Sequence, residues 1–208
     1  MNKNIIFSRF FSSVQETPWY SEFLEPVVSL IAPFSKVLDI GTGAGKLLQL
    51  LINKKNSDCT GIDSSASMLA EAEKKLEGLA VSLVQVTSGA AFPFQNAGFD
   101  EICICNVLFN LSVDDQNFLL NQSLDVLNDE GRIIILSPTG TGKTKAGFQK
   151  FLKWNNKSFG LWYMLTRQRA RKYNAQGHIQ DFCKEKNLIY SRRIVFDGFG
   201  LLEIVERR

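Results

Sequence analysis

Val37-Leu38-Asp39-Ile40-Gly41-Thr42-Gly43-Ala44-Gly45 decides the fold. A short apolar run ends in a carboxylate, three glycines follow at alternate positions, and Leu47, Leu48, Leu50 and Leu51 then recur with helical spacing. The stretch reads as strand, tight turn and helix. Glycines suit such a turn where a ligand must lie against the backbone, since a Cβ would hold it off, and where the chain needs positive φ. Taken alone, a glycine-rich turn of this kind serves many nucleotides or only close packing. Asp39 narrows the choice. A dinucleotide turn follows GxGxxG and aims backbone N–H groups at an anionic pyrophosphate. Here the pattern is GxGxG with Lys46 in the last glycine's place, and a carboxylate beside it would repel phosphate. The same carboxylate suits a ligand whose near end is cationic.

A second acid extends the pattern. Cys59 to Asp63 reads as the next strand, and Asp63 lies 22 residues beyond Gly41, where an acid accepts hydrogen bonds from a ribose hydroxyl pair. Adenosine with a cationic tail describes S-adenosylmethionine. With these residues in place the sequence resembles the class I S-adenosylmethionine-dependent methyltransferases, especially the small-molecule type of ubiquinone and menaquinone biosynthesis. The resemblance runs from about Val37 to Pro138. It includes Phe92-Pro93-Phe94 followed by Gly98-Phe99-Asp100, and Leu127-Asn128-Asp129-Glu130-Gly131-Arg132, which is similar to that family's turn into its fifth strand.

The resemblance implies an α/β fold: a Rossmann-like, doubly wound, seven-stranded sheet in the order 3-2-1-4-5-7-6, mostly parallel with a C-terminal antiparallel strand and helices on both faces. It implies S-adenosylmethionine as cofactor and S-adenosylhomocysteine as product. The cofactor-binding positions it carries over are Asp39, Gly41, Thr42, Gly43, Gly45, Asp63, Ser64, Met68, Ser88, Gly89, Ala90, Asn106 and Val107. Ser88 is a departure. The family often places an acid there for the adenine amino group, so adenine binding rests on the backbone of Gly89 and Ala90. A histidine pair frequent in the family after the fourth strand is replaced by Phe109-Asn110, and no general base can be assigned there. Methyl transfer does not demand one, because aligning nucleophile and methyl and excluding water supplies most of the acceleration.

Length and composition bound the answer. At 208 residues, with 45% hydrophobic and 22% charged residues, the chain reads as a single globular domain over 1–208, with a helical cover at 1–35 and an insertion at 138–186. No run reaches the length of a membrane span, no signal-peptide pattern opens the sequence, and the expected compartment is cytoplasmic. Cys59, Cys103, Cys105 and Cys183 show neither a CxxC pair nor zinc spacing, and no metal is expected.

The charge is divided. Residues 1–136 carry 9 Lys and Arg against 16 Asp and Glu, whereas 137–208 carry 15 against 5. Lys143 to Lys172 holds nine basic residues and no acid, interleaved with Phe148, Phe151, Trp154, Phe159, Trp162, Tyr163 and Met164. Three readings of this segment stay open: amphipathic helices that close the core, a lid over an anionic small substrate, or a surface for RNA or lipid headgroups. Tyr20, Asn110, Lys143, Trp162 and Tyr163 are the candidate substrate contacts, and His178, the only histidine, is the best-placed candidate base.

Elsewhere the patterns are local. Thr17-Pro18 opens a helix that Pro26 is placed to kink; Ser64 or Ser65 caps a helix through Leu76; Val81–Val86 and Asp100–Val107 read as strands. A helix over 114–127, a strand from Arg132 to Ser137 and a closing hairpin around Asp197-Gly198 complete the series. Ser137-Pro138-Thr139-Gly140-Thr141-Gly142-Lys143-Thr144 comes close to a phosphate-binding GxxxxGK[ST] loop, but only 64 residues follow it, too few for the remaining units of that fold. The function expected is methyl transfer to an unidentified small acceptor, an anionic one among the candidates. The alternatives are a non-catalytic protein of the same fold that binds a cofactor or partner, and a nucleotide-binding protein using 137–144.

Overall fold

The computed structural model of the chain describes residues 13–94, 98–142 and 157–208. Lys143 lies outside them, as do Phe148, Phe151 and Trp154 of the basic aromatic segment.

Helix α1 (Pro18–Leu30) starts at Thr17 as its cap residue, yet the Thr17 hydroxyl donates back to the Val14 carbonyl at 2.6 Å instead of capping. The helix runs on through Pro26. Strand β1 (Lys36–Ile40) leads through the glycine turn to α2 (Lys46–Lys55), and β2 (Asp58–Asp63) to α3 (Ala66–Lys75). The Ser65 hydroxyl caps α3 by accepting from the Met68 N–H. After β3 (Val81–Gln85) and β4 (Phe99–Cys105), a 3₁₀ turn at Leu108–Asn110 precedes α4 (Val113–Val126), capped by Ser112. Strand β5 (Leu127–Pro138), α5 (Lys157–Gln176), α6 (His178–Glu185), β6 (Ile189–Val195) and β7 (Gly200–Glu206) complete the described chain.

The seven strands lie in the order β3-β2-β1-β4-β5-β7-β6. Strands β1 to β5 pair in parallel; β7 runs antiparallel to both β5 and β6. Strand β5 begins earlier than the residue pattern suggests. Leu127 already pairs with Phe99, and the ladder resumes at Arg132 opposite Glu101, so 128–131 bulge between them. The Asn128 amide donates to Asp100 at 2.7 Å, and Gly131 has no Cβ to strike the Asp100 carbonyl, which would lie 2.9 Å from it. A polar run that reads as a turn is thereby held in the sheet.

Each sheet face has its own core. Val37, Cys59, Cys103, Cys105, Ile134, Leu136 and Leu202 meet α1, α2 and the first turns of α5; Leu38, Ile40, Ile62, Ile102, Ile104, Ile133 and Ile135 meet α4, α6 and the later turns of α5. Helix α5 therefore belongs to both cores. Its buried stripe, Phe159, Trp162, Thr166, Ala170 and Tyr173, has helical spacing and starts in one core and ends in the other. The helix passes over the carboxyl ends of the central strands.

Aromatic rings fasten its first turns to α1. Trp162 lies 5.1 Å from Trp19 and 5.4 Å from Phe23 between ring centroids, and the Trp19 indole N–H donates to Ser158 at 3.0 Å. Phe23 is fully buried and also meets Phe196 edge-on at 5.5 Å. Truncating it empties the centre of this cluster, so Phe23→Ala lowers unfolding stability by about 3–5 kcal/mol, read as a fall in the midpoint of chemical denaturation.

Candidate functional site

The glycine turn is folded back onto β2. The N–H groups of Gly41 and Thr42 both donate to the Ile62 carbonyl, at 2.8 and 3.0 Å, and Gly43 N–H donates to Asp63 Oδ2 at 2.9 Å. The other Asp63 oxygen, Oδ1, accepts from Ser65 N–H at 2.8 Å. A carboxylate has lone pairs for about four hydrogen bonds, so Asp63 holds the turn and keeps acceptor capacity for a ligand. Gly41 has φ +73° and Gly43 φ +58°. A Cβ on Gly41 would meet Val107 Cγ2 at 2.4 Å, and one on Gly43 would meet Gln15 Nε2 at 2.5 Å. The space that these glycines open is taken in part by protein side chains.

Two chambers open on this turn. The larger, about 730 Å³, lies under α5; the smaller, about 160 Å³, lies between the ends of β2 and β3 and helix α4. They share Gly41, Asp63, Ser64, Val107 and Leu111. Of the residues singled out in the sequence, Gly43, Met68, Asn106, Asn110, Tyr20 and Trp162 line the larger chamber, and Ser88, Gly89 and Ala90 line the smaller. Asp39, Thr42 and Gly45 line neither; they sit behind the turn, with Gly45 against Leu76 and Ala72 of the α3 region.

Two candidates fall away from the site. Tyr163 turns from the cavity, its hydroxyl 3.3 Å from the Gly140 carbonyl and its ring edge-on to Phe199. His178 starts α6 with Nε2 2.9 Å from Asn117 Oδ1 on α4, and lines neither chamber. The phosphate-loop likeness also has a packing explanation within the described residues. A Cβ on Gly140 would strike the Arg167 carbonyl at 2.5 Å, and one on Gly142 the Phe199 ring at 2.1 Å. The Gly140 carbonyl accepts from both Tyr163 and the Arg171 guanidinium.

Several lining residues carry no sequence signal that singles them out. Val14 and Gln15 precede α1 and reach the turn only through the fold; Thr166 and Arg169 follow Trp162 at four and seven positions along α5, a helical spacing that places all three on the cavity side. Phe109 and Leu111 come from the 3₁₀ turn after β4.

At the floor, Asn106 sits at φ +62° with its N–H on the Leu136 carbonyl at 2.8 Å. Its Nδ2 donates to the Tyr20 hydroxyl at 3.3 Å, while its Oδ1 is buried without a partner among the described residues. Burial raises the Tyr20 phenol far above its ordinary range, helped by Cys105 and Asp39 and opposed by the Asn106 hydrogen bond. Tyr20 is thus a neutral hydrogen-bonding group. The Cys105 thiol is also pushed up, by burial first and by Asp39 second.

Asp39 is 2% exposed. Burial raises its carboxyl from 3.8 to about 7, Asp63 adds to the rise, and the Thr42 hydroxyl works against it. The folded chain therefore binds this proton more tightly than the unfolded chain does. The stability associated with it is full below about pH 4 and is lost as pH rises toward about 7. Asp39→Asn, which cannot ionise, removes that loss: denaturation midpoints of the variant and parent match near pH 4 and diverge in the variant's favour by pH 8.

The chain is similar to known proteins in sequence and in fold. The methyltransferase-domain family matches residues 37–131. The demethylmenaquinone methyltransferase of Thermotoga maritima is 33% identical over 132 residues, 63% of this chain and 55% of that protein. The trans-aconitate 2-methyltransferase of Rhizobium etli is 26% identical over 64% of this chain and 52% of that one. The chain thus spans about half the length of the curated relatives it matches. The structure of the plantazolicin methyltransferase BpumL in complex with SAH superposes on all of this chain and 91% of its own with a TM-score of 0.72 at 16% identity, a likeness of fold. The chain is thus similar to S-adenosylmethionine-dependent methyltransferases in sequence over residues 37–131 and in fold over its whole length.

Proposed function

We propose that the chain transfers a methyl group from S-adenosylmethionine to a small acceptor held in the larger chamber. The observation that carries this reading is the junction of the two chambers at Gly41, Asp63 and Ser64. An adenosine fits there with its ribose hydroxyls within reach of Asp63 and its base toward Ser88, Gly89 and Ala90; the methionine end lies toward Gly43 and Met68. The donor set suits the group. The buried Asn106 Oδ1, without a partner among the described residues, offers an acceptor to a cationic neighbour, and Asp39 behind the turn adds a carboxyl whose ionised form a nearby positive charge would favour. Bound there, the cofactor supplies a methyl carbon activated by its sulfonium.

The rest of the work falls to positioning. Tyr20, fixed by Asn106 and neutral, keeps its own hydroxyl hydrogen for a second partner and orients the acceptor without taking its proton. Val107, Phe109, Leu111 and Trp162 wall the chamber with apolar surface and keep water from the reacting atoms. Neither Tyr20 nor Cys105 is placed to serve as a base at neutral pH, so the acceptor loses its proton to solvent or arrives ionised.

Calorimetric titration with S-adenosylhomocysteine tests the reading, with magnesium-ATP as control ligand. Binding in the micromolar range is expected, with at least about a tenfold loss in Asp63→Ala, roughly 1.4 kcal/mol. Thermal unfolding of the variant separates loss of the ligand contact from loss of the turn. ATP binding in place of the homocysteine compound overturns the assignment.

A further inference from the structure

We infer that Arg169 of α5 is the acceptor-side anchor of the larger chamber, and that it recognises a carboxylate carried by a substrate with an apolar body. The inference rests on the methyl-transfer reading for what occupies the opposite end of the cavity. Asp63 and Arg169 are the charged side chains that line it. Asp63 ends β2, where the N–H groups of Gly43 in the glycine turn and of Ser65 hold it. Arg169 belongs to the roof.

The three arginines of this stretch have different partners. Arg171 donates through Nε to the Gly140 carbonyl at 2.8 Å, and Arg167 lies over the Tyr163 ring at 6.0 Å; neither lines the chamber. Arg169 stands at the exposed rim with its guanidinium carbon 5.9 Å from the Phe109 centroid and Nη2 on the Leu165 carbonyl at 3.3 Å. No carboxylate pairs with it among the described residues. A guanidinium has five N–H donors, so most of the fork is uncommitted. The other polar groups at this end are occupied: Thr166 donates to the Trp162 carbonyl at 2.8 Å, and the Asn110 amide to the Asn106 carbonyl at 3.0 Å.

The remaining surroundings set the ligand's character. Trp162, Phe109, Leu111 and Val14 offer apolar contact, which suits a flat or branched hydrocarbon body. A planar fork with one cation matches a carboxylate in bidentate geometry. A phosphate dianion would call for more positive charge than this wall carries. At about 730 Å³ the chamber is large enough for the methionine end of a cofactor and a small acceptor together. A carboxylate could come from either of these two sources. Phe109, on the far side of Asn106 from the glycine turn in sequence, places Arg169 with the acceptor.

The test uses the full chain as wild type, Arg169→Ala and Arg169→Lys. Each is titrated with S-adenosylhomocysteine, and then, with and without saturating S-adenosylhomocysteine, with a panel of aromatic and aliphatic monocarboxylates, each paired with its carboxamide. Carboxylates that bind the wild type at least tenfold tighter than their amides are expected. That preference disappears in Arg169→Ala and is partly kept in Arg169→Lys, while S-adenosylhomocysteine affinity stays within twofold. A panel in which no carboxylate exceeds its amide, or a preference that survives Arg169→Ala, overturns the inference. So does a tenfold loss of S-adenosylhomocysteine affinity in Arg169→Ala, which gives the arginine to the cofactor's own carboxylate. Arg169-dependent carboxylate binding by a wild type that ignores S-adenosylhomocysteine supports the inference and defeats the methyl-transfer reading instead.

Discussion

The Asp63 carboxylate holds together two pieces of chain that would otherwise be independent. One oxygen takes the N–H of Gly43 in the turn after β1, the other the N–H of Ser65 at the cap of α3. Hydrogen bonds to a charged group contribute roughly 1.5–3 kcal/mol each, so the pair weighs as much as a buried aliphatic side chain. Its geometric effect is larger. With Gly41 and Thr42 both on the Ile62 carbonyl, the turn is fixed against β2 by three hydrogen bonds, and Gly41 is brought close enough to Val107 that a single added carbon would collide. The exit of β4, with Asn106 and Val107, is placed by that contact. The floor common to both chambers follows.

Helix α5 supplies the roof because it is claimed at both ends. Its first turns are locked by Trp162, Phe159 and the Trp19–Ser158 hydrogen bond; its last turns by Tyr173, whose hydroxyl donates to the buried Glu203 at 2.7 Å while Tyr190 donates to the other oxygen at 2.6 Å. A helix fixed to two cores must pass over the sheet's end between them. The stretch from Trp162 to Arg169 lies over the cavity, which is why residues of one helical stripe line its wall.

Much of this was legible locally. Strand, turn and helix around residues 36–55 follow from periodicity and glycine placement, and the antiparallel hairpin at the end follows from Asp197-Gly198 with flanking strands. What local pattern missed is what the fold brings from far away. Gln15 reaches Gly43 across 28 positions, and nothing near either residue announces it. Neighbouring aromatics on a helix point about 100° apart, so Trp162 and Tyr163 could not both face the cavity, and only packing decides which does. His178 follows α5 closely in sequence, but Gly177 in the left-handed region at φ +63° redirects the chain and delivers the ring to Asn117. The phosphate-loop pattern has a related explanation: glycines that permit close approach of α5 and Phe199 look, in sequence, like glycines that cradle an anion.

The divided charge of the chain has a spatial counterpart. The acidic first part flanks the glycine turn with Asp39 and Asp63; the basic later part puts Arg169 on the cavity wall, while Arg167 and Arg171 of the same helix lie off it. Arg169 is exposed, and an exposed charge is screened by water and salt, so its worth in affinity is modest. Its effect on orientation is not limited in the same way. A ligand whose body is held by Trp162 and Phe109 still has to choose which end points toward Asp63, and a carboxylate placed there would be repelled while one placed at Arg169 is attracted. A difference of about 1.4 kcal/mol between the two orientations is enough for a tenfold bias. On the proposed reading, Arg169 decides which atom of the acceptor faces the glycine turn, with the apolar walls supplying most of the binding.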